Sequence, residues 1–161
     1  MSKDTPKTLI LGIGNGIRGD DVIGILIARE LKKDPIPGCE IKELETAGFE
    51  ILDEITGYDR VIIIDAMRTE DEKQIGKIEL HDLEDRQPTP TLLPSHGFDF
   101  AGLVHAWKKA SPKPFPKKIT FLLVKVKDVD HFREGLSDRV KGIFEGVVGE
   151  VERRIEILMR N

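Results

Sequence analysis

Apolar residues occur along this chain in short runs. Most of these runs are separated by longer segments, in which apolar and polar residues follow helical spacing. The short runs are β-branched or alternate with polar residues, and glycine, proline or polar residues end them, as is typical of strands. The predicted strands are 8–13, 39–45, 61–66, 76–82 and 118–126. Because VIIIDA at 61–66 is the most apolar, we expect it at the centre of a sheet, with 76–82 at an edge.

Helices are predicted at 22–33, in a short segment ending near Thr56, at 99–110 and at 138–160. A turn at Thr46–Gly48 should precede the second of them, and a proline-rich loop should cover 86–97. Strands that alternate with helices predict an α/β fold. The expected architecture is a three-layer sandwich, with helices on both faces of a mainly parallel, twisted, five-stranded sheet. Since 161 residues suit a single core, one domain spanning 1–161 is expected.

Composition and charge exclude several classes of protein. The net charge of −4, without a basic stripe, gives no reason to expect nucleic acid as a partner. No apolar run approaches the roughly 20 residues of a membrane span, and the first one is too short for a signal peptide. A lone cysteine, Cys39, excludes a disulfide framework and a cysteine-based zinc site. We therefore expect a cytoplasmic protein that acts as a monomer.

The segment GIGNGIRGDD, which follows the first strand, permits two interpretations. Gly14–Gly19 matches G-x-G-x-x-G, a pattern typical of dinucleotide sites, and Glu43 or Glu45 could then bind a ribose. However, Asp20 and Asp21 come directly afterwards and would repel a pyrophosphate, so a cation fits better. One of the two aspartates is expected to cap the following helix. A nucleotide-binding α/β domain stays open as an alternative.

Polar side chains are predicted to converge where the strands end. Asp21 follows the first strand, Asp65 ends the run VIIID, and His96 lies in the proline-rich loop. Sites in open α/β sheets lie beyond the carboxyl ends of the strands. Two carboxylates and an imidazole there would suit a divalent cation and leave positions open. Each residue also has an ordinary interpretation, as a cap, a turn former or a surface side chain.

Other chemistry finds little support in the sequence. There is no G-x-S-x-G or H-E-x-x-H motif, and Cys39 has no histidine near it in sequence. His81, His105 and His131 are expected to be structural or exposed.

Taken together, these segments resemble the [NiFe]-hydrogenase maturation endopeptidases, over nearly the whole chain and in the same order. The resemblance rests on a strand followed by GIGNGIRGDDVIG, then LETAGFEILDEI, VIIIDAM and a loop carrying SHG before a helix. It implies a protease that removes a C-terminal peptide from the hydrogenase large-subunit precursor after nickel insertion. Asp21, Asp65 and His96 match the metal-contacting positions of the family, where they would contact Ni²⁺ carried by the substrate.

The resemblance leaves some roles open. Asp20 or Asp99 could act as general base, and Asp99 is an extra carboxylate near the site. The 111–118 linker and His131–Phe132 have no counterpart and receive no role. A non-catalytic metal-binding maturation chaperone, which uses the same cleft without cutting, is a further alternative.

Overall fold

A five-stranded sheet forms the centre of the molecule in the computed structural model, which describes residues 7–45, 50–83 and 100–161. The strands are β1 Thr8–Gly14, β2 Cys39–Glu45, β3 Arg60–Arg68, β4 Ile78–Asp82 and β5 Lys118–Val126. Their order is β2-β1-β3-β5-β4, and only β4 runs antiparallel to its neighbour. The predicted mainly parallel sheet is confirmed, with β3 at its centre and β4 at an edge.

Helices cover both faces of the sheet, as predicted. They are α1 Ile23–Leu31, α2 Glu50–Ile55, α3 Phe100–Ala110, α4 Asp138–Lys141 and α5 Phe144–Arg160, with 3₁₀ turns at Gly19–Val22 and Glu72–Gln74. Side chains of β3 alternate between the faces. Ile62 and Ile64 pack with α1 and α5, whereas Val61 and Ile63 pack with α2 and α3.

Helix α1 begins in a narrow space where β1 and β3 separate. A Cβ on Gly24 would lie 2.3 Å from the carbonyl oxygen of Ile64 and 2.4 Å from that of Ile13. A Cβ on Gly12 would lie 2.2 Å from the Gly24 oxygen. These glycines therefore allow the helix to touch the strands directly. The chain passes from β1 to β2 on one side of β1 and then from β2 to β3 on the other side, so the direction of winding reverses at β1.

The C-terminal helix is interrupted, contrary to the prediction of one helix over 138–160. It ends at Lys141 and resumes at Phe144. The break turns Ile143 toward Gly76, whose missing side chain leaves room for it; an added Cβ would lie 2.5 Å from Ile143 Cδ1. The predicted apolar stripe is confirmed on either side of the break: Val140, Val147, Val151 and Ile155 are buried, and Phe144 and Leu158 pack against them.

Three predicted elements fall wholly or partly outside the described residues: the turn at 46–48, the whole loop at 86–97 and the first residue of the helix at 99–110. Within the described residues, no helix is both long enough and apolar enough to span a bilayer.

Candidate active site

Asp65 lies inside β3 rather than at its end, so the predicted strand end was wrong. The strand continues to Arg68 because β5 pairs with it through Val126. Pairing with β1, in contrast, stops at Ile64. Asp65 is thus the first residue of β3 beyond its pairing with β1, and it is fully buried. Its Oδ1 accepts a hydrogen bond of 2.8 Å from the Ala66 backbone N–H.

Asp21 lies in the 3₁₀ turn Gly19–Val22, which we call the acidic turn. The turn rests on the end of β1, since a Cβ on Gly14 would lie 2.2 Å from the Asp21 carbonyl oxygen. It also contacts β3. Asp21 is fully buried, and its position just before α1 is one where the helix dipole favours a negative charge. Asp21 and Asp65 therefore flank the point where the winding of the sheet reverses.

Asp20 anchors the acidic turn and does not cap a helix. The N-cap positions are Arg18 for the turn and Val22 for α1, and neither makes a capping side-chain hydrogen bond. The fully buried Asp20 carboxylate instead accepts bonds from Ser137 N–H (2.7 Å), Ser137 Oγ–H (2.9 Å) and Asp128 N–H (3.1 Å). Both oxygens of Asp20 are therefore engaged within the fold, and its suggested role as general base stays a prediction.

The segment 127–137, which we call the anchoring loop, holds the acidic turn through the backbone as well. Gly19 N–H donates to the Arg133 oxygen (2.8 Å), and Arg133 N–H donates to the Ile17 oxygen (2.9 Å). Gly19 has φ +57°, and an added Cβ there would lie 3.0 Å from the Asp128 carbonyl oxygen. Only glycine adopts this φ so close to the anchoring loop without strain.

The glycine segment is also held from the side of β2. The Gly16 N–H donates to Glu45 Oε1 at 3.0 Å, and the Ile17 N–H donates to Asn15 Oδ1 at 3.1 Å. Glu45 is therefore occupied with the loop backbone.

Sequence reasoning missed both supports. The anchoring loop received no role because its contacts join residues more than a hundred positions apart. Glu45 was considered only as a ribose ligand. The sequence GLS before α4 gave one indication that Ser137 has a structural role, since serine is a typical N-cap residue.

His96 and Asp99 lie outside the described residues. Among the residues that are described, no group of three or more histidine, cysteine, aspartate or glutamate side chains is arranged to hold a metal. The other histidines behave as expected: His105 is exposed, His81 pairs with Glu79 at 2.8 Å, and His131 lies on the surface.

The geometry argues against a dinucleotide at Gly14–Gly19. In a nucleotide fold, glycines leave room for the pyrophosphate. Here the backbone of the acidic turn fills the space beside Gly14, and the anchoring loop fills the space beside Gly19. Gly14 and Gly19 therefore allow close contact between backbone segments of this chain.

Comparison with known proteins decides which family this chain belongs to. Residues 25–154 match the model of the HycI hydrogenase maturation protease family. The chain belongs to the hydrogenase maturation protease family. It is therefore a peptidase, and the resemblance seen in the sequence is confirmed. The match begins after Asp21, so the assignment does not depend on the acidic turn.

Individual relatives agree with this assignment. The hydrogenase 2 maturation protease of Escherichia coli is 28% identical over 148 residues, which cover 90% of this chain and 88% of the relative. The solved hydrogenase maturating endopeptidase HybD from E. coli aligns with a TM-score of 0.70 at 26% identity, over 93% of this chain and 92% of that one. The HycI protease from Thermococcus kodakarensis, at 23% identity and TM-score 0.63 over 92% of each chain, shares the fold.

Proposed function

We propose that this protein removes the C-terminal extension of a [NiFe]-hydrogenase large-subunit precursor after nickel insertion. In this proposal, Asp21, Asp65 and His96 recognise the nickel carried by the precursor. The observation that carries it is the full burial of Asp21 and Asp65 on either side of the reversal point of the sheet. Family membership supplies the reaction type.

Two buried carboxylates on either side of one point of the sheet create a negative potential there. A divalent cation delivered by the substrate would be attracted to both of them at the moment of binding. Carboxylate oxygens and an imidazole nitrogen are donors that suit Ni²⁺. The protein would then bind a nickel-loaded precursor more tightly than an empty one, which would make nickel insertion a condition for cleavage.

For the cleavage itself, the substrate's nickel would polarise the scissile carbonyl or activate a water molecule. The contribution of the protein is to hold the two carboxylates in place. The acidic turn is fixed to β1 through Gly14 and to the anchoring loop through Asp20, and Asp65 is fixed within a paired strand.

The test is incubation with a nickel-loaded large-subunit precursor and with the same precursor lacking nickel, each followed by intact mass spectrometry. We expect loss of one defined C-terminal peptide from the nickel-loaded form alone. Equal cleavage of both forms would overturn nickel recognition, and cleavage of neither would favour the non-catalytic chaperone.

A thermal-shift comparison addresses the nucleotide alternative. Stabilisation by Ni²⁺, Zn²⁺ or Cd²⁺, without stabilisation by NAD, NADP or other nucleotides, is the expected result. Stabilisation by a nucleotide alone would contradict the proposed function.

A further inference from the structure

A cleft of about 460 Å³ lies beside the acidic turn, at the carboxyl ends of β3 and β5. Arg68, the last residue of β3, and Lys127, the first residue after β5, line it together with parts of the anchoring loop. Asp128 and Ser137, which hold Asp20, also line it. Two residues that line the cleft therefore contact Asp20, the neighbour of Asp21 in the chain.

All four carboxylates that line the cleft have partners, whereas two of its four Arg and Lys side chains form no ion pair within the described residues. Arg68 pairs with Glu70 at 2.6 Å and with Asp130 at 2.7 Å, Lys127 pairs with Glu72, and Asp128 accepts a hydrogen bond of 3.1 Å from the His131 backbone N–H. Two further cations, Arg133 and Arg139, also line the cleft and are exposed. Neither forms a salt bridge with another residue in the described part of the chain.

These positive charges lie close enough to affect one another. The pKa of Lys127 is raised by its hydrogen bond to Glu72, while the charge of Arg139 acts in the opposite direction and lowers it. Like charges that repel across a cleft would gain from an anionic ligand placed between them.

An apolar ridge borders the cleft. Phe132 is 87% exposed and Ile17 is 51% exposed, the two highest values among large apolar side chains in the described residues. Phe132 lies between His131 and Arg133, both of which line the cleft. Ile17 lies beside Phe132 because the two backbone segments are paired. The Ile17 carbonyl oxygen accepts the Arg133 N–H, and Arg18 and Arg133 form an isolated parallel β-bridge.

Isolated exposed apolar residues are common on protein surfaces, but here two lie side by side on backbones that hydrogen bonds fix. An aromatic anchor beside arginines is typical of the central residues of protein interfaces. The anchoring loop, which holds the acidic turn, thus presents Phe132 and Arg133, and Arg139 follows it on α4.

We propose that the ridge of Ile17 and Phe132, together with Arg133 and Arg139, docks an acidic segment of the hydrogenase large-subunit precursor. This inference rests on the proposed function and adds the chemistry by which the substrate is held outside the metal-recognition residues. The segment carries at least one carboxylate for the arginines and an apolar side chain that packs on Phe132.

The test compares steady-state processing of a nickel-loaded precursor by wild-type protein and by Phe132→Ser, Arg133→Glu and Arg139→Glu. Each variant should raise KM, by about tenfold for the loss of the aromatic anchor and about threefold to tenfold for each charge reversal, with kcat nearly unchanged. Adding salt should raise KM of the wild-type protein more steeply than that of Arg133→Glu.

Matched controls are Ile157→Ser, which removes a 43% exposed apolar side chain from α5, and Lys117→Glu, which reverses an exposed charge just before β5. Both should keep the wild-type KM. Arg139 lies on α4 and not in the anchoring loop, so its variant tests the surface even if a loop variant folds poorly.

Unchanged KM in Phe132→Ser and in both arginine variants, with a processing wild-type protein, would overturn the docking surface and leave the proposed function standing. If wild-type protein binds the precursor without cutting it, the proposed function falls, and the same variants are then compared by Kd. Wild-type protein that neither binds nor cuts the precursor would overturn both.

Discussion

Replacing Asp20 with asparagine changes a buried side chain that joins the acidic turn to the anchoring loop. The carboxylate satisfies two backbone donors, Ser137 N–H at 2.7 Å and Asp128 N–H at 3.1 Å, and the Ser137 hydroxyl at 2.9 Å. These donors approach both oxygens. An asparagine has only one oxygen, so in either orientation its amide group faces a backbone N–H.

The expected loss of stability follows from these contacts. A backbone donor left without an acceptor costs about 1–3 kcal/mol, and the loss of charge from the remaining bonds costs about 1 kcal/mol more. We therefore expect Asp20→Asn to lower the free energy of unfolding by about 2–4 kcal/mol. This is a large part of the roughly 5–15 kcal/mol typical of a native protein.

The assay is equilibrium unfolding in urea, with Asp130→Asn as the matched control because that carboxylate is 55% exposed and pairs with surface arginines. The control should change stability by about 1 kcal/mol at most. If Asp20→Asn unfolds within about 0.5 kcal/mol of the wild-type protein, the anchoring role assigned to Asp20 is refuted.

Three other changes test separate parts of the structure. Asp21→Asn should abolish processing of a nickel-loaded precursor while the melting temperature stays within a few degrees; full activity would remove Asp21 from the site. Gly12→Ala places a Cβ 2.2 Å from a carbonyl oxygen of α1 and should cost about 3 kcal/mol or more in a thermal melt, whereas Gly146→Ala, with open space around it, should be neutral or stabilising. The hydrogen bonds from Arg153 and, to a smaller extent, Arg154 lower the pKa of Glu150 from 4.5 to about 2, so these pairs stabilise the fold above pH 4.5 and stop doing so as the pH falls toward 2. An NMR titration should show this pKa returning toward 4.5 in Arg153→Gln; no change would contradict the pairing.

The strands could be predicted from the sequence because their patterns are local. The bounds of β2 and β5 agree with prediction at both ends, since each run has clear polar or proline-rich flanks. β3 was predicted too short because Met67 and Arg68 do not continue its run of β-branched residues. Their strand conformation depends on pairing with β5, more than fifty residues later.

In the candidate site, too, some features could be predicted from the sequence and others could not. Asp21 and Asp65 could be proposed because a parallel sheet brings the carboxyl ends of its strands to one edge. The anchoring contacts of Asp20 could not be predicted, because adjacent aspartates differ only in what surrounds them. Asp20 faces donors from Asp128 and Ser137, and no local pattern reveals a contact across that length of chain.

The anchoring of Asp20 also has a consequence for how the protein is made. All of its side-chain donors come from Asp128 and Ser137, although the acidic turn itself lies within the first 22 residues. A chain still emerging from the ribosome would carry Asp20 and Asp21 long before it carried these donors. The acidic turn would therefore acquire its fixed position late in synthesis, and a protein truncated before Asp128 would lack the contacts that hold Asp20.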